Sequence, residues 1–291
     1  MNPALLHFDL LIKERETMKI PLVANGVSTC TGCGMEIVLR NILDVLGPDT
    51  MIVIPPGCAA LFSGDGNVTA LRIPGFQGNL ENTAAYAAGI RAGLDRQNRS
   101  EVHVLAFAGD GATADIGLQS LSGVFERQER IIYVCYDNEA YMNTGMQRSS
   151  SSPQGAWTST TPGGKAVMKK DMLSIARAHG IPYIASASVG YMPDLKRKIS
   201  KAKKVMGPSY IHIHTPCPTG WGFESRLTVE VARKAVESGM WELYEIEHGE
   251  KTVSRSKIKH ASAEAYFSLQ KRFSKVSSEF MKERVQHEDK D

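Results

Sequence analysis

Val102-His103-Val104-Leu105-Ala106-Phe107-Ala108-Gly109-Asp110-Gly111 decides the fold. An apolar run with little alternation is the signature of a strand buried on both faces. It ends in Gly-Asp-Gly. The first glycine allows a sharp turn, and the second lets backbone approach a phosphate. Asp110 is a hard carboxylate of the kind that Mg²⁺ takes alongside phosphate oxygens. The next apolar run, 131–136, leads into Asp137-Asn138. As parallel neighbours, the two strands would open Asp110 and Asn138 on one edge, and the Ala140 carbonyl could complete a ligand set. The chain supplies a control: Gly64-Asp65-Gly66 has the same letters but follows no strand, and Gly93 stands where Asn138 would be. That copy reads as a turn, and a plain turn remains the alternative at Asp110.

Outward from this stretch, strands are expected at 51–54, 183–187 and 210–214. Helices are expected at 36–46, 82–94, from 118 onward, at 172–179 and at 193–205. Short apolar strands alternating with helices imply βαβ units. The fold class is therefore α/β, a mostly parallel sheet with helices on both faces, which binds ligands at the carboxyl edge of its strands. Residues 1–24 read as an N-terminal arm. From about Thr228 the chain turns helical and charged, and it ends in a polar tail.

The chain has 291 residues, 42% hydrophobic and 22% charged, with a net charge of +3. That charge is too weak to argue for nucleic acid. No apolar run reaches transmembrane length, and the N-terminus lacks the basic-then-apolar order of a signal peptide. Five cysteines leave an odd one in any disulfide scheme. A reducing cytoplasm is the expected setting.

Cys30-x2-Cys33 lies in a glycine-containing loop, Cys58 follows Pro55-Pro56-Gly57, and Cys217 sits in Thr215-Pro216-Cys217-Pro218. All four fall at strand or helix ends, where thiolate ligands of an iron–sulfur cluster belong. Structural zinc favours two short cysteine pairs, so the isolated Cys58 and Cys217 weaken that rival. Ordinary buried cysteines are the remaining reading for those two. Cys135, inside the 131–136 strand, reads as core.

Together these residues resemble the thiamine diphosphate-binding β subunit of 2-oxoacid:ferredoxin oxidoreductases, the pyruvate synthase group. The resemblance covers roughly residues 25–225. It rests on Cys30-Thr31-Gly32-Cys33-Gly34, Pro56-Gly57-Cys58, Gly109-Asp110-Gly111, the run from Asp137 through Asn138, Ala140, Asn143 and Thr144 to Gly145, and Cys217. It implies a thiamine diphosphate- and [4Fe–4S]-binding domain at 25–225 with a helical extension and tail at 226–291. Cys30, Cys33, Cys58 and Cys217 would ligate the cluster. Asp110, Asn138 and the Ala140 carbonyl would hold Mg²⁺, and Asn143 would sit at the substrate and thiazolium as the catalytic residue. Gly34, Gly57, Gly109, Gly111, Ala112 and Thr144 would complete the cofactor site.

The implied activity is oxidative decarboxylation of a small 2-oxoacid, with electrons passing through the cluster to ferredoxin and the acyl group to coenzyme A. The Tyr141-x-Asn143-Thr144-Gly145 form resembles the pyruvate type rather than the 2-oxoglutarate type. In this family the glutamate that activates thiamine comes from the α subunit. Glu36, Glu81 and Glu139 carry no mark of that role, so the chain is expected to be inactive alone and to need its α partner, with γ and δ subunits in the same enzyme. Oxalate or a branched-chain 2-oxoacid is the alternative substrate. A non-catalytic scaffold stapled by zinc or a cluster is the alternative of another class.

Other residues carry weaker signals. His212 and His214 share one strand face and read as half-buried strand histidines, with ligand contact as the rival. Lys196, Arg197, Lys198, Lys201, Lys203 and Lys204 read as a solvated basic face or a docking surface for an acidic partner. Residues 149–164 read as a polar loop, a lid or a subunit contact. Asp115 reads as a pocket residue or a helix N-terminal acid.

Overall fold

The computed structural model describes residues 20–64, 68–254 and 261–276. Most of the expected N-terminal arm, Asp65 and Gly66 of the control motif, and the polar tail lie outside them. Eight strands form one sheet: β1 (Thr50–Ile54), β2 (Gly75–Gln77), β3 (His103–Gly109), β4 (Ile132–Asp137), β5 (Tyr183–Ser188), β6 (Ser209–His214), β7 (Tyr244–Glu247) and β8 (Glu250–Val253). Their spatial order is β2-β1-β3-β4-β6-β5-β7-β8. The first six pair in parallel. β7 and β8 run antiparallel at one edge, so the stretch expected as a helical extension and tail also contributes two strands to the sheet.

The unbroken apolar runs at β3 and β4 follow from burial on both faces. Leu105 and Phe107 of β3, with Val134 and Tyr136 of β4, pack beneath the helices Gly34–Leu46 and Met192–Ala202. Val104, Ala106 and Ala108, with Tyr133 and Cys135, pack on the opposite face against Thr83–Arg96, Leu118–Glu126 and Met172–Ala178. Cys135 is buried core, as its place in the strand implies. A third apolar cluster, around Trp221, Trp241, Phe267 and Phe273, joins the Thr228–Glu237 helix to the end of the described chain.

Register sets the site. Gly109 of β3 lies opposite Tyr136 of β4, and Asp137 of β4 lies opposite His214 of β6. The carboxyl ends of three adjacent parallel strands therefore meet in one row. The chain leaves β3 through a π turn, Gly111–Asp115, and leaves β4 through the Asn138-to-Gln147 loop, closed by Tyr141 and Gln147.

Candidate functional site

A cavity of about 160 Å³ opens at this edge. Its walls include Gly57 and Cys58 after β1, Gly109, Asp110, Gly111 and Ala112 after β3, and Asn138, Ala140, Asn143 and Thr144 after β4. Gly111 cannot be replaced without displacing a wall: a Cβ there would lie 2.3 Å from the Tyr141 ring.

Three oxygen-bearing groups converge inside. One end of the Asn138 amide lies 2.8 Å from the Ala140 carbonyl oxygen and 3.1 Å from Asp110 Oδ1; with its nitrogen there, the amide donates to both. With its oxygen there instead, the amide would face two other oxygens and repel them unless a cation lay among them. Mg²⁺ holds oxygens at about 2.0–2.1 Å in an octahedron, which puts adjacent ligands about 3 Å apart. The spacing fits that ion. Asp110 is buried, and burial, with the Asp137 charge beside it, pushes its pKa well above the usual carboxylate range. Such a carboxylate gains from a cation. Its other oxygen, Oδ2, accepts a hydrogen bond from Ser149 Oγ at 2.5 Å.

Buried ion pairs hold the loop that bears Asn138. Asp137 Oδ2 accepts from His212 Nε2 at 2.8 Å and from Lys169 Nζ at 3.3 Å. Burial alone would raise the Asp137 pKa, but Lys169 and the His212 hydrogen bond pull it below the ordinary value. Glu139, at φ 64°, is a non-glycine in the left-handed region. Its carboxylate takes Arg272 Nη2 at 2.6 Å and Lys169 Nζ at 3.3 Å. Trp221 Nε1 donates to the Asn138 carbonyl at 2.8 Å. His214 is fully buried against Trp241, and burial drives its pKa down to about 4. Both histidines are thus buried parts of the foundation rather than half-buried strand residues.

The cysteine loops meet beside this cavity. A Cβ on Gly34 would lie 3.1 Å from the Pro216 carbonyl, so the Cys30–Cys33 loop packs directly on the Cys217 loop. Gly34 is not among the residues that line the cavity; its lack of a side chain permits that loop contact. Cys30 is exposed; Cys33, Cys58 and Cys217 are half-buried. Burial, with the nearby Cys217 and Cys30, pushes the Cys33 thiol up to about 11, and burial with Cys217, Cys33 and Cys30 pushes Cys58 up to about 12. Burial and the charges of the other cysteines thus both disfavour the thiolate forms of Cys33 and Cys58. Among the described residues, no three His, Cys, Asp or Glu side chains are placed to share a single ion. Cys58 belongs to both regions, since it also lines the cavity.

Several expectations change. The 149–152 segment is no lid: Ser149, Ser151 and Ser152 are buried. Asp115 lies outside the cavity lining and accepts from the Ser150 amide at 3.1 Å. On the basic helix, Arg197 bonds Asp194 and Glu245, Lys198 is buried on Asp194, Lys201 pairs with Glu245 and Glu247, and Lys196 meets Asp44. Most of its charge is thus spent within the chain. Glu36 pairs with Arg40 at 2.7 Å and Glu139 with Arg272, while no glutamate lines the cavity among the described residues. The serine foundation, Lys165, Lys169 and Arg272 carried no motif in the sequence. A buried lysine far along the chain gives no local signal.

Residues 57–213 match the thiamine pyrophosphate enzyme family, C-terminal TPP-binding domain. The chain is 49% identical over 277 residues to pyruvate synthase subunit PorB of Methanothermobacter thermautotrophicus, covering 92% of this chain and 96% of that protein. It is 42% identical to ketoisovalerate oxidoreductase subunit VorB of Pyrococcus horikoshii, covering 92% and 90%. A solved structure, the 2-oxoglutarate:ferredoxin oxidoreductase from Magnetococcus marinus with 2-oxoglutarate, coenzyme A and succinyl-CoA bound, shares its fold at 22% identity and a TM-score of 0.60, over 68% of this chain and 67% of that one. No helix among the described residues is long and apolar enough to cross a membrane. With that sheet and that carboxyl-edge cavity, the chain belongs to the thiamine-dependent β subunits of the 2-oxoacid:ferredoxin oxidoreductases.

Proposed function

We propose that this β subunit serves a pyruvate:ferredoxin oxidoreductase, holding Mg²⁺ and the diphosphate of thiamine and passing electrons to a [4Fe–4S] cluster. The convergence of Asp110 Oδ1, the Asn138 amide and the Ala140 carbonyl within about 3 Å carries the reading. Those three groups would hold the metal. Gly109 and Gly111 leave the wall open to diphosphate. Thiamine diphosphate, when bound, would supply a nucleophilic carbon and hold the electron pair left behind when CO2 departs.

The chain's own groups do the rest. Asn143 and Thr144 line the cavity where a small 2-oxoacid would be oriented. Cys58 on the same wall would put one cluster ligand beside the cofactor, with Cys30, Cys33 and Cys217 completing the set. A cavity of about 160 Å³ is smaller than the roughly 300–1,000 Å³ that encloses a ligand of cofactor size. An α subunit would supply the facing wall and the activating glutamate, with coenzyme A and ferredoxin as further partners in a cytoplasmic enzyme. Pyruvate follows the relatives named for pyruvate synthase; the relative named for ketoisovalerate favours a branched-chain 2-oxoacid as the second reading.

The test uses the co-purified complex under anaerobic conditions. Asp110→Ala should abolish thiamine diphosphate retention, and the wild type should show a broad visible absorbance that bleaches on reduction. Unchanged retention overturns the metal–diphosphate assignment; a colourless protein with stoichiometric zinc overturns the cluster. A panel of 2-oxoacids, with and without coenzyme A, decides the substrate.

A further inference from the structure

We propose that Ser149 is a positioning residue for the metal: its hydroxyl occupies one oxygen of Asp110 and so presents the other to the cation. The inference rests on reading this site as a magnesium–diphosphate site. Ser149 Oγ donates to Asp110 Oδ2 at 2.5 Å. Oδ1 is the oxygen that faces the Asn138 amide, at 3.1 Å. A carboxylate free to turn about its own bond offers either oxygen or both. One that is bonded at Oδ2 by a buried hydroxyl offers Oδ1 alone, in a fixed direction.

Ser149 can impose that direction because it is itself fixed. It is 1% exposed. Its amide donates to Ser152 Oγ at 3.0 Å, and Ser152 Oγ donates to the Glu139 carbonyl at 2.6 Å. Lys165, 2% exposed, donates through Nζ to the carbonyls of Ser150 (2.8 Å) and Ser152 (2.6 Å). The Ser150 amide bonds Asp115 at the end of the π turn. The serine stretch thus spans the two loops that bear the ligands: Ser149 and Ser150 reach the loop after β3, and Ser152 reaches the loop after β4. Its spacing sets the distance between Asp110 and Asn138.

Partners of metal ligands generally change metal affinity by about 10–100-fold when removed. The experiment titrates Mg²⁺ into the chelator-stripped complex at fixed thiamine diphosphate. It reads cofactor binding by fluorescence and Mn²⁺ occupancy by electron paramagnetic resonance. Ser149→Ala should raise the half-saturating Mg²⁺ concentration about 10–100-fold, while excess metal restores the full binding plateau. Ser149→Thr, which keeps the hydroxyl, should stay within about threefold of the wild type. If Ser149→Ala does not assemble, Ser149→Cys gives the answer: it keeps the shape of the side chain with only a slightly larger atom, weakens the hydrogen bond, and should move half-saturation the same way. A lowered plateau with unmoved half-saturation marks a merely structural serine and overturns the proposal. So does unmoved half-saturation in Ser149→Ala while Asp110→Ala abolishes binding. If Asp110→Ala also binds normally, the magnesium reading itself fails.

Discussion

Replacing Arg272 with methionine tests whether the turn bearing Asn138 is held by charge. Arg272 Nη2 lies 2.6 Å from Glu139 Oε2, with side chains 1% and 4% exposed. Its guanidinium also stacks 3.5 Å from the Trp221 ring centre. At an effective dielectric of about 20, the gross attraction at that distance is about 6 kcal/mol. Both ions have lost their hydration, so the pair is worth far less than that against an apolar pair of the same shape. Removing only Arg272 is different, because a buried carboxylate is left behind at a cost of about 3–5 kcal/mol. Lys169, 3.3 Å from the other Glu139 oxygen, absorbs part of that charge, so we expect the lower end, about 3 kcal/mol. At roughly 2–4 °C per kcal/mol for a domain of this size, Tm should fall by about 6–12 °C. The double variant Glu139→Gln/Arg272→Met removes both charges and should recover at least about 2 kcal/mol of the loss. The assay is thermal unfolding of the co-purified complex at one protein concentration, read beside thiamine diphosphate retention. A Tm within about 2 °C of wild type, or a double variant no more stable than Arg272→Met, would refute charge as the cause.

Two further predictions follow from burial and close contact. His214 has a folded pKa of about 4 against about 6.5 unfolded. Its contribution is therefore complete above pH 6.5 and is lost as pH falls toward 4, because the unfolded chain takes up the proton first. From pH 7 to pH 5 the wild type should lose about 2 kcal/mol more than His214→Phe in urea unfolding of the complex; parallel pH curves would refute it. Gly111→Ala places a methyl against the Tyr141 ring, an overpacking of about 1–3 kcal/mol that should weaken thiamine diphosphate binding roughly 5–150-fold. Gly93→Ala, in an exposed helix interior with open space for its Cβ, should instead stabilise by about 0.5–1 kcal/mol. Equal effects at the two glycines in cofactor titration and thermal unfolding would refute the packing argument.

The sheet was legible because period and punctuation coincide. The apolar runs at 102–108 and 131–136 became β3 and β4 within one residue at each end. Gly109 and Asp137 ended them on one edge, and the cavity formed between them. What stayed hidden is what tertiary packing decides. Ser149 to Ser152 look like a surface loop because serine is a turn residue; Ser149, Ser151 and Ser152 are buried, and every hydroxyl of the stretch but that of Ser151 has a partner in the loops after β3 and β4. The basic helix looks like a docking face because its partners, Glu245 and Glu247, lie on a strand some 45 residues away. β7 itself was hidden for a related reason: Tyr-Glu-Ile-Glu is too short and too acidic to read as a strand, and it exists as the next-to-last strand, between β5 and β8, whose acids meet that helix.

A row of ions beneath a cofactor cavity is a costly way to support a loop, since apolar residues of the same volume are often at least as stabilising. The geometry gives a reason for it here. In the proposed metal site the loop after β4 presents an amide and a carbonyl oxygen upward at Asn138 and Ala140, and backbone that turns both groups one way strains the residue between them. Glu139 is that residue, at φ 64°, where a non-glycine side chain costs about 1–2 kcal/mol. An apolar residue at Glu139 could pack but could not be pulled into place from below. A carboxylate can, because Arg272 and Lys169 bond its two oxygens from two directions, while Ser152 takes its carbonyl from a third. The same Lys169 bonds Asp137, so one cation sets both residues flanking Asn138. On this argument the ions supply direction rather than stability. Glu139→Leu/Arg272→Met, which replaces both ions of the pair by apolar side chains, would then keep a Tm within a few degrees of the wild type, about 1 kcal/mol either way, and still lose thiamine diphosphate. Normal cofactor retention in that variant would show that packing alone can aim Asn138.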